Sequence, residues 1–150
     1  MSNKILIIHG PNLNLLGERE PGIYGDQSYT ALNQMITNHV ENLGYECEIF
    51  QSNHEGAIID RLHQARLDSL GVVLNAGAYT HYCYAIRDAI ATIKIPVIEV
   101  HISNVHNREE FRKTSVIASV CKGSISGFGR DSYILGITGL IRMLKGENND

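Results

Sequence analysis

An α/β fold, with an open and mostly parallel five-stranded sheet carrying helices on both faces, is predicted by three features of this chain. Short continuous apolar runs at Ile5–Ile8, Val72–Leu74 and Val97–Val100 read as strands buried on both faces, since a strand with one wet face would alternate. Between the runs lie stretches whose apolar residues recur at helical spacing. Strands and helices alternate along the chain, an arrangement that joins parallel strands through right-handed crossovers.

The first run leads into a connection from His9 to Gly25 that has no secondary-structure periodicity. Inside a compact domain, such a length points to an active-site lid or a binding loop. Leu13, Leu15, Leu16 and Ile23 supply its apolar anchors. Leu32, Met35, Ile36, Val40 and Leu43 then hold one helix face, and Gly44 stands where a C-terminal cap is expected. Glu46–Gln51 alternates, with Cys47 and Ile49 on one face and Phe50 on the other, which predicts a further strand. A second helix is expected over Glu55–Leu67, burying Ile58, Ile59, Leu62 and Ala65, and a third over roughly His81–Thr92, before Pro96 opens a strand. Arg108–Lys113 is weakly helical, and a short fifth strand is expected near Gly123–Gly127. The last helix uses Ile134, Ile137, Leu140, Ile141 and Leu144, and residues 146–150 form a polar tail. The expected topology is the flavodoxin-like order 2-1-3-4-5, with residues 1–150 forming one domain.

Composition narrows the function classes. An apolar fraction of 43% and a formal charge of −3 describe a soluble protein without the basic bias of a nucleic-acid binder. The N-terminus carries one lysine before a short apolar run, which matches neither a signal peptide nor a membrane span. Cys47, Cys83 and Cys121 are odd in number and widely spaced, so neither a disulfide framework nor a thiolate metal site is expected, and a reducing cytoplasm fits.

In a sheet of this topology the ligand lies beyond the carboxyl ends of the strands. The segments after Ile8, Leu74 and Val100 are dense in polar groups: Asn12, Arg19 and Tyr24; Asn75 and His81; His101, Ser103 and Asn104. The first loop has no G-x-G-x-x-G or G-x-x-x-x-G-K-[ST] pattern, so a nucleotide cofactor is not expected. It also lacks a hydroxyl-rich turn for a flavin phosphate and an acidic pair for magnesium, and the third strand ends in Asn75 rather than aspartate. Proton chemistry is what remains. A tyrosine with an ordinary pKa of about 10 becomes a base only if its phenolate is favoured, at about 1.4 kcal/mol per pH unit. Arg19, five residues before Tyr24 and permanently charged, is suited to that. Spacing alone leaves open a tyrosine packed on its loop beside a solvated arginine.

Strand alternation puts Glu99 on the same face as His101. A carboxylate there fixes the imidazole tautomer and favours a protonated general acid, while a simple strand-end hydrogen bond stays open as the alternative. No histidine spacing suggests a metal site. Asn75 and His81 flank a turn at a helix start and serve either a polyhydroxylated, anionic ligand or local capping. Arg112, Arg87 and Asp88 could pair with a ligand, although charges so placed usually mark a solvated face.

The chain resembles the type II 3-dehydroquinate dehydratases essentially from Ile5 to Leu144. The resemblance runs through Gly10-Pro11-Asn12-Leu13-Asn14 with Arg19 and Tyr24, through Asn75-Ala76-Gly77-Ala78-Tyr79-Thr80-His81, through Glu99-Val100-His101-Ile102-Ser103-Asn104, and through Arg108-Glu109-Glu110-Phe111-Arg112. It implies a flavodoxin-like fold and cofactor-free, metal-free removal of water from 3-dehydroquinate. It also implies Tyr24 as base, His101 as acid, and Arg19 as the cation that keeps Tyr24 basic. Asn12 would hold a water against the enolate oxygen. Asn75, His81, Ile102, Ser103 and Arg112 would bind substrate, with Glu99 and Arg108 in support. The family assembly is a dodecamer of four trimers in which a carboxylate at the position of Asp88 reaches a neighbour's site. The loop with Arg19 and Tyr24 would close over substrate, with Pro21, Gly22 and Gly25 as joints.

Two departures from the family pattern stand out. Ala76 replaces a common proline and should loosen its turn, and Tyr82-Cys83 replaces a common threonine-serine pair. The second change is expected to add bulk beside His81 and to alter the helix start.

Overall fold

A computed structural model describes residues 2–18 and 28–146. Five strands occur in the order 2-1-3-4-5, all parallel: β1 (Lys4–His9), β2 (Glu46–Gln51), β3 (Gly71–Asn75), β4 (Val97–His101) and β5 (Gly123–Ser126). Four α-helices connect or follow them: α1 (Tyr29–Asn42), α2 (Glu55–Asp68), α3 (Tyr84–Ile93) and α4 (Asp131–Leu144). The expected topology is the one observed.

Side-chain alternation splits the sheet into two apolar layers. Leu6, Ile8, Val72 and Leu74 pack against α2 and α3 through Ile58, Leu62, Ile86 and Ile90. Ile5, Ile7, Val73, Ile98 and Val100 pack against α1 and α4 through Leu32, Ile36, Ile137 and Leu140. The alternating strand divides as its sequence requires, with Cys47 and Ile49 against the α1/α4 layer and Phe50 against the α2/α3 layer.

The ends of α1 show why its sequence makes a helix of this length. Ser28 caps its start, accepting from the Ala31 amide at 3.1 Å. Gly44, at φ +91°, closes it in a Schellman motif, with Gly44 N–H donating to Glu41 and Tyr45 N–H donating to Val40.

Three expectations are corrected. Polar His9, Asn75 and His101 belong to their strands, because ladder hydrogen bonding continues past the last apolar side chain. The third helix starts at Tyr84 rather than His81, which closes a separate 3-10 turn over Gly77–His81. Gly77 is left-handed at φ +59°, and the Asn75 side chain accepts from its amide at 3.1 Å, so the chain turns before it can enter an α-helix. Arg108–Lys113 contains a 3-10 turn over Glu110–Lys113, not an α-helix. The segment with Arg19, Pro21, Gly22, Ile23, Tyr24 and Gly25 lies outside the described residues.

At the carboxyl edge the register sets Gln51, His9 and Asn75 side by side. Gly10 donates to the Asn75 carbonyl at 2.7 Å, and a Cβ at Gly10 would lie 2.6 Å from both the carbon and the oxygen of the Ala76 carbonyl. His9 is fully buried; its Nδ1 meets the Tyr133 hydroxyl at 2.8 Å and its Nε2 meets Asn33 Oδ1 at 2.8 Å. Burial pushes the imidazole down from 6.5 to about 4.

Gly10→Ala should cost about 2 kcal/mol in urea unfolding because neither backbone can give way. Gly56→Ala, on α2 with open space around it, should instead gain about 0.5 kcal/mol from helix propensity. A neutral Gly10 variant would discount the close approach as a constraint. His9 generates a pH dependence with a definite sign. Between pH 6.5 and about 4 the unfolded chain carries a proton that the fold excludes. Stability therefore falls as pH drops through that window, by up to about 3 kcal/mol. Urea midpoints at pH 7 and 4.5 should separate much less in His9→Asn than in the parent chain; equal separation counts against His9 as the source.

Candidate active site

The site begins at the end of β4. Glu99 and His101 point to one face of the strand, and His101 Nε2 donates to Glu99 Oε2 at 2.6 Å. Glu99 is only 2% exposed and His101 only 8%, so their contact is shielded from water. With Nε2 engaged by the carboxylate, Nδ1 is the ring nitrogen left for other chemistry. Ser115 donates to the same carboxylate, 3.0 Å from Oε2 and 3.2 Å from Oε1.

A second imidazole lies beside the first. The turn after β3 carries His81, whose Nδ1 donates to the Thr114 carbonyl at 2.7 Å. The His81 and His101 rings stack at 6.5 Å between centroids and 18° between planes. Phe111 packs edge-on against His81 at 5.6 Å, and the Arg112 guanidinium covers the Phe111 ring at 4.7 Å. Arg112 Nε also donates to Glu109 at 3.1 Å, and that bond is the main cause holding the Glu109 carboxyl below its ordinary range.

These groups line a cavity of about 110 Å³. Thr80, His81, Glu99, His101 and Arg112 contribute to it with Lys113, Ser115, Ser124, Ser126, Val105 and His106. The Thr80 hydroxyl is buried and has no hydrogen-bond partner among the described residues. The surface therefore combines a carboxylate-backed histidine, a second histidine, a guanidinium and several hydroxyls. Such a set can bind a small, polar, anionic ligand and move one proton on it. Among the described residues, no group of three or more His, Cys, Asp or Glu is placed to hold a metal ion.

None of the other described candidates, Asn12, Asn75, Asp88, Ile102, Ser103 and Arg108, lines this cavity. Asn12 is left-handed at φ 70°, and its amide donates to Asn53 Oδ1 at 3.0 Å. The Asn75 side chain holds the Gly77 turn and, by strand alternation, faces the α1/α4 layer, opposite to Glu99. Ile102 packs on that same layer. Ser103 accepts from Arg108 Nη1 at 3.1 Å. Asp88 is 73% exposed on α3, paired with Arg87 at 3.2 Å, and does not line its own chain's cavity. Arg19 and Tyr24 lie outside the described residues.

Tyr82 and Cys83 do not add bulk inside the cavity. The Tyr82 ring is exposed and meets Tyr79 edge-on at 5.9 Å, while the buried Cys83 thiol donates to Glu55 at 2.8 Å. Cys83 does occupy the N-cap of α3 without a side-chain capping bond. Thr114 and Ser115 escape detection in the sequence because a hydroxyl or carbonyl without periodicity leaves no signal, and Thr80 stands in the Asn75–His81 block without a role of its own. Tyr133 was within reach of the pattern, four residues before Ile137 on the stripe of α4.

The sheet topology and this edge define a class: an α/β protein with a polar cavity, walled by a Glu99–His101 pair, at the carboxyl ends of parallel strands. The chain belongs to the class II dehydroquinase family, whose sequence model matches residues 3–141. A 3-dehydroquinate dehydratase from Caldicellulosiruptor bescii is 56% identical, over 94% of this chain and 98% of its own. One from Thermotoga neapolitana is 53% identical, over 97% and 99%. The crystal structure of a type II dehydroquinase from Butyrivibrio crossotus superposes with a TM-score of 0.88 at 53% identity, over 93% of this chain and 98% of that one.

Proposed function

We propose that this chain removes water from 3-dehydroquinate to give 3-dehydroshikimate, by anti elimination through an enolate, in the shikimate or quinate pathway. The activity, type II 3-dehydroquinate dehydratase, is that of the family to which the chain belongs. The observation that carries the acid half of the mechanism is the buried Glu99–His101 pair on the cavity wall.

Tyr24, as phenolate, takes the proton beside the ketone, and the C–H electrons move onto the carbonyl oxygen. Arg19 favours the phenolate and steadies the developing charge, and Asn12 holds a water against the enolate oxygen. The enolate then re-forms the ketone, a carbon–carbon double bond appears, and the C–O bond to the hydroxyl breaks. His101 gives its proton to that hydroxyl, which leaves as water, and the proton gained by Tyr24 returns to His101 before the next turnover. Asn75, His81, Ile102, Ser103 and Arg112 bind substrate, and Arg108 adds positive potential. No cofactor takes part. The three free thiols suit a reducing cytoplasm, and no helix among the described residues is long and apolar enough to cross a membrane.

Mixing the chain with 3-dehydroquinate should raise the ultraviolet absorbance of a conjugated enone. Calorimetric binding without that signal would identify a binding protein instead. Tyr24→Phe should lower kcat by about 10³-fold with binding retained; full turnover would remove Tyr24 from the mechanism. The assembly we expect is a dodecamer of four trimers, with the exposed Asp88 reaching a neighbour's site. Light scattering should then give about twelve times the 16.6 kDa chain mass, and Asp88→Ala should raise KM by about tenfold. A monomer would dismiss both statements.

A further inference from the structure

One short segment outside the sequence-derived site touches the orienting group of both histidines. The Thr114 carbonyl accepts from His81 Nδ1 at 2.7 Å. The next residue, Ser115, donates to Glu99, whose Oε2 in turn holds His101 Nε2 at 2.6 Å. The chain that follows is itself anchored: Val116 N–H donates to the Thr80 carbonyl at 2.9 Å, and Ala118 N–H donates to Ser115 Oγ at 3.0 Å. Because Ser115 Oγ accepts that amide, its one proton is directed at the carboxylate.

We propose that Thr114–Ser115 is a positioning element that assigns the two stacked imidazoles opposite roles. A carbonyl can only accept, so His81 must keep its proton on Nδ1 and, when neutral, presents Nε2 as an acceptor. A carboxylate already held by Ser115 keeps His101 oriented through Nε2–H, and the proton that His101 can give is the one on Nδ1. One histidine then accepts from a substrate hydroxyl while its neighbour, stacked at 6.5 Å between centroids, donates to the departing one. Ser115 is a positioning residue, since it acts through Glu99.

The inference rests on the reading of His101 as the acid, and the experiment separates the two. Steady-state kinetics across pH are measured for the parent chain, Ser115→Ala, Ser115→Thr and His101→Asn, with a thermal midpoint for each. In Ser115→Ala, kcat should fall by about tenfold, KM should change by less than about threefold, and the alkaline limb of the kcat profile should move. Ser115→Thr restores the hydroxyl and should recover most of kcat. If His101→Asn is inactive while Ser115→Ala keeps full kcat and an unshifted profile, the positioning role is overturned and the acid stands. If His101→Asn turns over normally, both readings fall. If Ser115→Ala loses kcat only in proportion to its midpoint and Ser115→Thr does not recover it, the serine is structural and the proposal is overturned.

Discussion

Taking the Glu99 carboxylate out of water would cost several kcal/mol if nothing met it inside the protein. It is met on both oxygens, by His101 at 2.6 Å and by Ser115 at 3.0 and 3.2 Å. Ser115 can do this only because its loop is tied to the turn after β3, through Val116 and Thr80, and that same turn carries His81. One buried charge thus couples β4, the turn after β3 and the Thr114–Val116 segment. His101 meets it directly, and His81 is held by the Thr114 carbonyl one residue before Ser115.

The sheet makes this coupling rigid. Glu99 and His101 sit on a strand hydrogen-bonded on both sides, so their separation is set by the pleat and not by a loop. At the other end of the edge, Gly10 approaches the Ala76 carbonyl so closely that no side chain fits, which holds β1 and the β3 turn together. The neutral, buried His9 bridges α1 and α4 across the end of β1 through Asn33 and Tyr133. The groups proposed to act on substrate from loops are therefore set against a floor with little freedom to move.

Much of this was legible in the chain. Buried strands in a parallel sheet declare themselves as unbroken apolar runs, and Ile5–Ile8, Val72–Leu74 and Val97–Val100 did so because both faces need apolar cover. Gly44 ends α1 where the helical stripe stops, as expected of a left-handed C-terminal cap, whereas the Ser28 cap emerged only from the structure. The pairing of Glu99 with His101 followed from a period of two. Where the reading slipped, the reason was also physical. His9, Asn75 and His101 are polar yet in strand, since backbone hydrogen bonding is indifferent to side-chain polarity. The helix expected from His81 begins three residues later because a left-handed glycine and an Asn75 side-chain bond impose a turn first.

The sequence by itself determined the layered α/β architecture and the placement of Glu99 and His101 on one face of a strand end, both consequences of periodicities that act within a few residues. Only the tertiary structure decided which distant groups complete the site. Thr114 and Ser115 meet His81 and Glu99 across separations of 33 and 16 residues. Tyr82 turns its ring outward, and Tyr133 reaches His9 across 124 residues. Hydrogen bonds of that kind depend on how whole layers pack, and no local pattern encodes where a single hydroxyl or carbonyl will end.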